Sequence, residues 1–387
     1  MTASSITRRQ MLKTTSFAMP ALGWASAGRA ETAAKGMVRM GIIGVGNRAK
    51  AHIAIIKALP DRYRITALCD IVPEKVEAGI QLVGGGDIKT FARHTDLIDS
   101  RLCDAVLIAT PNYAHKQIAI EALHGGLHVL CEKPLATTLA DAKAVVEAVG
   151  KCDRVFAVGQ QMRYMPGYRR IKQLLDAGTI GQLKYVWAAE FRGDWAKLYD
   201  DPEVNAQKNW RYYKKLSGGS LVEKNCHDFD ILGWLIDAKP LRVTATGGIS
   251  VYTGRDTLDH ATVAVDFEEG KKLSLGLCMF ARPSKADTTI VGTKGMLCFP
   301  RSGVYITVRK PGKRDERIDV PESKLDKLEI YKHRGTGALH LDFLDAMARG
   351  RQPLTDVNVG YNALRIPIAA QQAIAQRKVI QMKHLEG

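Results

Sequence analysis

The stretch Val38-Arg39-Met40-Gly41-Ile42-Ile43-Gly44-Val45-Gly46-Asn47-Arg48-Ala49 decides the reading of this 387-residue chain. An apolar run, the pattern of a strand buried on both faces, enters a G-x-G-x-x-A turn that opens a helix. Gly44 permits the tight turn. Gly46 lets the backbone approach a pyrophosphate with no Cβ in the way, and the small Ala49 lets helix and strand pack closely. Asn47 and Arg48 fall in the first helical turn, where backbone N–H groups and the helix dipole favour a phosphate. With 35 glycines in the chain, such a pattern is expected about once by chance, so its place between strand and helix carries the inference. The next apolar run ends Leu68-Cys69-Asp70, and Asp70 falls 21 residues beyond Ala49. A carboxylate there accepts hydrogen bonds from the adenosine ribose hydroxyls and repels a 2′-phosphate, which favours NAD over NADP. The competing reading of Asp70 is a helix N-cap ahead of Pro73.

Outward from this unit, short apolar runs alternate with helix-type segments. The runs are Val38 to Ile43, Tyr63 to Cys69, Ala105 to Thr110, His128 to Cys131 and Val155 to Val158; helices are predicted at about Ala49 to Leu59, Pro73 to Leu82, His115 to Leu123 and Leu139 to Val149. This alternation predicts an α/β fold whose first domain, residues 37–159, is a Rossmann-type parallel sheet covered on both faces. Beyond Gly159 the texture changes. Helices are predicted at about Tyr168 to Ala177 and Gly219 to Asp237, with a strand from Leu183 to Phe191 and a polar loop to Leu216 between them. Strand-like runs then follow in series: Arg242 to Thr246, Ala261 to Phe267, Lys272 to Met279, Asp287 to Gly292, Met296 to Pro300 and Val304 to Val308. Strands joined by short turns predict an α+β second domain, residues 160–387, with a largely antiparallel sheet. Two closing helices, about Gly337 to Ala348 and Gly360 to Gln376, are free to pack back on the first domain.

Composition narrows the class. At 46% hydrophobic and 25% charged, the chain is ordinary for a soluble globular protein, which argues against disorder and membrane embedding. The formal charge is +16, but Lys and Arg do not cluster with aromatics, so nucleic acid is not an expected partner. The seven cysteines, Cys69, Cys103, Cys131, Cys152, Cys226, Cys278 and Cys298, have no CxxC spacing, which argues against a disulfide framework or a zinc site. His52, His94 and His260 show no ligand spacing either, and no metal is expected.

No acidic residue precedes Glu31, and Thr7-Arg8-Arg9-Gln10-Met11-Leu12-Lys13 is followed by a weakly hydrophobic stretch from Phe17 to Ala25. Residues 1–30 resemble a twin-arginine (Tat) signal peptide, with small-residue cleavage patterns at Ala25-Ser26-Ala27 and Gly28-Arg29-Ala30. The stretch is too short and polar to span a bilayer, which takes about 20 apolar residues as a helix. A periplasmic or secreted protein is expected, exported folded by the Tat machinery, without stable membrane insertion and with its cofactor loaded beforehand and tightly bound.

Three further segments carry chemistry. Ala109-Thr110-Pro111-Asn112-Tyr113-Ala114-His115 and Leu130-Cys131-Glu132-Lys133-Pro134-Leu135 both close strands at the carboxyl edge of the parallel sheet, where ligands of open α/β folds bind. Removing a hydride from a secondary alcohol builds charge on oxygen, and a fixed ammonium at Lys133 stabilises it. A cis bond before Pro134 would aim that ammonium into the cleft. The third segment is Gly218-Gly219-Ser220-Leu221-Val222-Glu223-Lys224-Asn225-Cys226-His227-Asp228-Phe229-Asp230. Helical spacing there stacks Glu223, His227 and Asp230 on one face, an arrangement able to take a proton from a hydroxyl. The plain alternatives are a solvated lysine and a structural histidine.

Together, T-P-N-x-x-H and C-E-K-P behind the glycine turn resemble the Gfo/Idh/MocA oxidoreductases, over about Met37 to Gln381. The resemblance implies that Lys133 contacts the nicotinamide ribose and the reacting hydroxyl. It implies that His227 is the catalytic base, on a helix that departs from the family pattern at Glu223 (usually aspartate) and Asn225 (usually glycine). It also implies cofactor contacts from Thr110, Pro111, Asn112, His115, Glu132 and Gln161, substrate contacts from Arg163, Tyr164, Trp210 and Arg211, and a homo-oligomer paired through the antiparallel sheet. Three functions follow: a dehydrogenase or reductase of a sugar, cyclic polyol or glycoside; a redox-assisted glycoside-cleaving enzyme on the same fold; and a non-catalytic sugar sensor, against which the presence of both Lys133 and His227 speaks.

Overall fold

A computed structural model describes residues 36–193, 209–300, 303–328 and 334–385. The expected signal peptide, residues 1–30, lies outside the described residues. The apolar runs of the first half form β1 (Val38–Ile43), β2 (Tyr63–Cys69), β3 (Lys89–Phe91), β4 (Ala105–Ile108), β5 (His128–Cys131) and β6 (Phe156–Val158). Their order is β3-β2-β1-β4-β5-β6, and every pairing is parallel. All of β4 and β5 is buried, because the connecting helices α1 (Asn47–Lys57), α2 (Pro73–Val83), α3 (His94–Asp99), α4 (His115–His124) and α5 (Leu139–Val149) cover both faces. The chain runs outward to β3 and returns beside β1. That reversal opens a crevice over the carboxyl ends of β1 and β4. Two elements of this half, β3 and α3, were not expected from the sequence. β3 is a three-residue edge strand with no buried residue, so it leaves no apolar signature.

The second sheet contains β7 (Leu183–Phe191), β8 (Pro240–Gly248), β9 (His260–Phe267), β10 (Lys272–Cys278), β11 (Lys285–Gly292), β12 (Gly295–Pro300), β13 (Tyr305–Arg309), β14 (Glu316–Asp319) and β15 (Ile380–Gln381). Its order is β14-β13-β12-β11-β7-β10-β9-β8-β15. Only the β7–β10 pair is parallel. Alternation along β10 buries Leu273, Leu275 and Leu277 on the face that packs on α6 (Pro166–Asp176) and the helix Cys226–Ile236. The opposite face carries the exposed aromatics Tyr185 and Trp187.

The closing helices Thr336–Arg349 and Val357–Gln376 serve both sheets. Leu339, Phe343 and Leu344 share a core with Met40 and Ile42 of β1, whereas Ala369, Ala370 and Ala373 join the core under the second sheet. At the edge strand β6, the Val158 N–H donates to Thr355 O at 2.7 Å and Thr355 Oγ1 donates to Val158 O at 2.9 Å. All seven cysteines are free thiols, and no helix among the described residues is long and apolar enough to cross a membrane.

Candidate active site

The two glycines of the first turn answer to different constraints. Gly44 has φ +88°, and a Cβ there would lie 2.7 Å from both Ala109 C and Thr110 N, so the turn after β1 presses flush on the turn after β4. Gly46, the N-cap of α1, has φ −86° and ψ −167°, and a Cβ on it would meet no atom within 4 Å. No protein contact demands glycine at that position. What a side chain would fill is the open space before the α1 N-terminus, where Asn47 is exposed and Ala49 is buried against the sheet. Asp70 borders the same space. Its Oδ2 accepts from the Val45 N–H at 2.8 Å and its Oδ1 from the Val72 N–H at 3.0 Å. It does not cap α2, whose N-cap is Val72 without a side-chain bond. Each carboxylate oxygen keeps a further lone pair. A helix N-terminus for a pyrophosphate and an acid for a ribose therefore fit a dinucleotide.

The turn after β4 supports this crevice more than it lines it. His115 is fully buried, with Nδ1 2.8 Å from Pro134 O and Nε2 3.0 Å from Thr110 O. Burial holds its pKa down against the pull of those two carbonyls. A neutral ring has one N–H, so it donates to one of these carbonyls while its other nitrogen faces the second, and the side chain expected at the cofactor lies buried between the β4 and β5 turns. Asn112 is likewise turned to protein, donating Nδ2 to Ser217 O at 2.8 Å. Pro111 is partly exposed between them, and Thr110 Oγ1 is buried without a hydrogen-bond partner among the described residues.

At the end of β5 the Lys133–Pro134 bond is cis. Buried Glu132 accepts from Arg48 Nε at 2.7 Å, His52 Nε2 at 2.9 Å and the Lys133 N–H at 3.2 Å. Burial pushes this carboxyl up, but the Arg48 charge and the His52 hydrogen bond outweigh it and hold it well below the usual carboxylate range. Arg48 also reaches Thr336 Oγ1 at 3.1 Å. Arg48 and Glu132, expected to touch the cofactor, are paired with each other, and Arg48 Nη1 is buried without a hydrogen-bond partner among the described residues.

Lys133 Nζ donates to the backbone carbonyl of Glu223 at 2.7 Å and lies 3.6 Å from Glu223 Oε1. Arg211 Nε donates to the same Oε1 at 2.9 Å. Burial raises the Glu223 pKa, yet the charges of Lys133 and Arg211 dominate and bring it down to about 2. A carboxylate so acidic is a poor proton acceptor. Glu223, read from the sequence as part of the acid–base apparatus, is a fixed anion between two cations.

The single helix expected over Gly219 to Asp237 is interrupted. Helices span Ser220–Glu223 and Cys226–Ile236, and Asn225 between them has φ −91° and ψ 1°. Asparagine is a weak helix former; here it stands at the N-cap of the second helix without a side-chain cap bond, its Nδ2 donating to Asp228 Oδ2 at 2.9 Å, while Lys224 Nζ turns inward to Glu190 of β7 at 3.0 Å. The expected stack of Glu223, His227 and Asp230 is therefore resolved into separate pairs. His227 Nδ1 lies 2.9 Å from Gln160 Oε1, and Arg163 grips Asp230 with Nε at 3.0 Å and Nη2 at 2.6 Å.

Gln160 is the site residue the sequence reading missed. It follows β6 beside Gln161, and side-chain alternation shows that one of the two faces the cleft without saying which. Gln161 is buried, and its Oε1 has no partner among the described residues. Tyr164, expected at the substrate, is withdrawn from it: the ring is buried in the core around β1, and the hydroxyl donates to Asp342 Oδ2 at 2.6 Å. Trp210 and Arg211 form part of a short 3-10 turn, with the guanidinium stacked 4.3 Å over the indole.

A parallel sheet with a dinucleotide cradle, joined to a one-sided antiparallel sheet, defines an NAD-dependent oxidoreductase. Residues 38–160 match the oxidoreductase family with an NAD-binding Rossmann fold, and residues 168–298 match the GFO/IDH/MocA C-terminal domain; the chain belongs to the Gfo/Idh/MocA oxidoreductases. Inositol 2-dehydrogenase of Salmonella typhimurium is 27% identical over 325 residues, covering 82% of this chain and 88% of its own. An uncharacterized oxidoreductase of Streptococcus pneumoniae serotype 4 is 30% identical over 300 residues, 76% of this chain and 78% of that one. In fold, the chain is similar to levoglucosan dehydrogenase solved with NADH and levoglucosan, with a TM-score of 0.77 and 22% identity over 89% of this chain and 99% of that chain.

Proposed function

We propose that the protein is an exported oxidoreductase that moves a hydride between bound NAD and a hydroxyl or ketone carbon of a sugar, cyclic polyol or glycoside. One observation carries the reading: the neighbouring strand ends β5 and β6 both reach the same interrupted helix, β5 through Lys133 to Glu223 and β6 through Gln160 to His227. NAD, when bound, supplies the hydride acceptor. The Lys133 side chain is 15% exposed, so its ammonium is dry enough to stabilise charge developing on a substrate oxygen. Glu223 and Arg211 fix where that ammonium sits. With Gln160 Oε1 facing it, His227 Nδ1 carries the proton and Nε2 the lone pair, which accepts the hydroxyl proton. Inositol and levoglucosan, the compounds named for two of the similar proteins, are compact cyclic polyols and support that substrate class.

The Tat-like leader supports export. Free nicotinamide cofactor is scarce outside the cytoplasm, so the enzyme keeps its NAD and regenerates it within one cycle, pairing the oxidation of one sugar with the reduction of another. The open face bearing Tyr185 and Trp187 is the surface through which subunits would pair. The test is to denature the isolated protein, identify the released nucleotide, and follow reduced nicotinamide absorbance across a panel of sugars and cyclic polyols. Lys133→Met is expected to lower kcat/KM by about a thousandfold. Wild-type protein that neither carries nor binds NAD and oxidises nothing in the panel overturns the reading.

A further inference from the structure

Glu132 is also held from behind, on the side away from the cleft. From its Oε1 a hydrogen-bonded chain runs inward: His52 Nε2 at 2.9 Å, then His52 Nδ1 to His340 Nε2 at 2.8 Å, then His340 Nδ1 to the Tyr63 hydroxyl at 3.1 Å. Both imidazoles are fully buried and Tyr63 nearly so. A carboxylate only accepts, so His52 donates through Nε2 and accepts at Nδ1. His340 must then donate through Nε2 and accept at Nδ1, which leaves the Tyr63 hydroxyl as the first donor. One arrangement of protons satisfies all four groups with both rings neutral. Burial, which lowers the pKa of both histidines, favours that state.

The chain ends on the one carboxylate that also holds Arg48, in the first turn of α1 beside the Gly46 cradle, and the backbone N–H of Lys133. Gly159 leaves no slack behind it, since a Cβ there would come within 2.9 Å of the Glu132 carboxyl carbon. Leu339 and Phe343 lie on the same helix as His340 and are fully buried, so a leucine at 340 would suit the packing while ending the relay. Buried polar groups cost stability unless every member is paired, and this chain is paired from Tyr63 to Glu132.

We propose that His340 is a positioning residue for Lys133: by orienting His52 it fixes Glu132, and through Glu132 it holds the Lys133 main chain and the first turn of α1 in one arrangement. The proposal rests on the role given to Lys133 above, and its test therefore includes a measurement that needs no turnover. In protein with 15N-labelled histidine and lysine, both His52 and His340 are expected as the Nε2–H tautomer at neutral pH. His340→Leu should shift the Lys133 amide resonance, and His340→Gln, whose amide N–H can replace the donor to His52, should return it. In turnover, His340→Leu should lower kcat about 30-fold with KM within about threefold, and His340→Gln should restore most of the loss. If His340→Leu does not fold, His52→Leu against His52→Gln reads the same step one link nearer Glu132. Imidazolium or the opposite tautomer at either ring, an unmoved Lys133 amide, or equal losses from leucine and glutamine would overturn the proposal. Wild-type protein that turns over no sugar would instead remove the functional reading, while the tautomers and the amide shift still judge the positioning.

Discussion

Replacing Gly46 with alanine separates two demands that a glycine-rich turn usually imposes together. At Gly44 they coincide, for φ is +88° and a Cβ would stand 2.7 Å from two backbone atoms. Gly44→Ala thus combines a left-handed penalty of about 1–2 kcal/mol with overpacking of about 1–3 kcal/mol. At Gly46 the backbone angles of −86° and −167° suit any residue, and no atom lies within 4 Å of the added methyl. Its stability terms oppose each other. Alanine restricts the unfolded chain, worth about 0.4–1 kcal/mol, but makes a poorer N-cap than glycine by a similar amount. Unfolding of the cofactor-free variant should stay within about 1 kcal/mol of wild type. The methyl does occupy the space before the α1 N-terminus. Losing one charge-assisted hydrogen bond to a pyrophosphate costs about 1.5–3 kcal/mol, which is about 10- to 150-fold in Kd. Fluorescence titration with NADH, set beside thermal unfolding, reads both quantities. Wild-type affinity in Gly46→Ala would refute the placement of the dinucleotide, and a fall in stability matching Gly44→Ala would refute the claim that the position is open.

Other expectations follow from the same contacts. Asp70→Asn keeps an oxygen for the Val45 N–H but removes the charge, so selectivity for NAD over NADP should narrow at least about tenfold; unchanged selectivity would mean that another group discriminates. Gln160→Leu takes the acceptor from His227 Nδ1 and should lower kcat about tenfold or more with little change in KM; a wild-type kcat would dissociate this bond from catalysis. The His128 ring is held down to about 4 by burial and the Arg154 charge. Its folded value lies below the 6.5 of a free histidine, so the neutral ring, accepting from the Val155 N–H at 2.9 Å, contributes stability above that pH and loses it as pH falls toward 4. Glu223 at about 2, against an ordinary 4.5, loses its contribution only in the lower window between those values. Thermal unfolding between pH 8 and 3 should therefore decline first near pH 6, with about 3 kcal/mol at stake from His128; His128→Gln should remove that share of the first decline, leaving the part due to buried His52, His115 and His340, whose values burial also lowers, and leaving the lower decline.

The parallel half was legible because its central strands are buried on both faces, so β4 reads as an unbroken apolar run and β1 and β5 as runs broken only by Arg39 and opened by His128. β3 has no buried residue and left no such trace. In the second sheet, alternation exposed the strands one by one but not their arrangement, since the insertion of β7 between β10 and β11 depends on pairings with no local mark. Within the site, Gly44, Gly46, Asp70 and Lys133 were legible because each stands at a strand end with a recognisable turn. The acid–base group was read less well: Asn225 was seen as a departure from pattern and not as a helix break, so Glu223 was given a proton-transfer role that its two cations deny it. The chain behind Glu132 was beyond reach. His340 looks like a solitary histidine in an apolar helix, because its partners His52 and Tyr63 lie 288 and 277 residues away.

The closing helices also bear on how the molecule can be made. Met40 and Ile42 are covered by Leu339, Phe343 and Leu344, and the free edge of β6 is sealed by Thr355. During translation the nucleotide-binding half leaves the ribosome long before those residues exist. The nascent polypeptide must carry an uncovered layer and an unsealed strand edge through most of synthesis, a form that invites chaperone capture. Maturation of the half that begins the molecule waits on the residues that are made last.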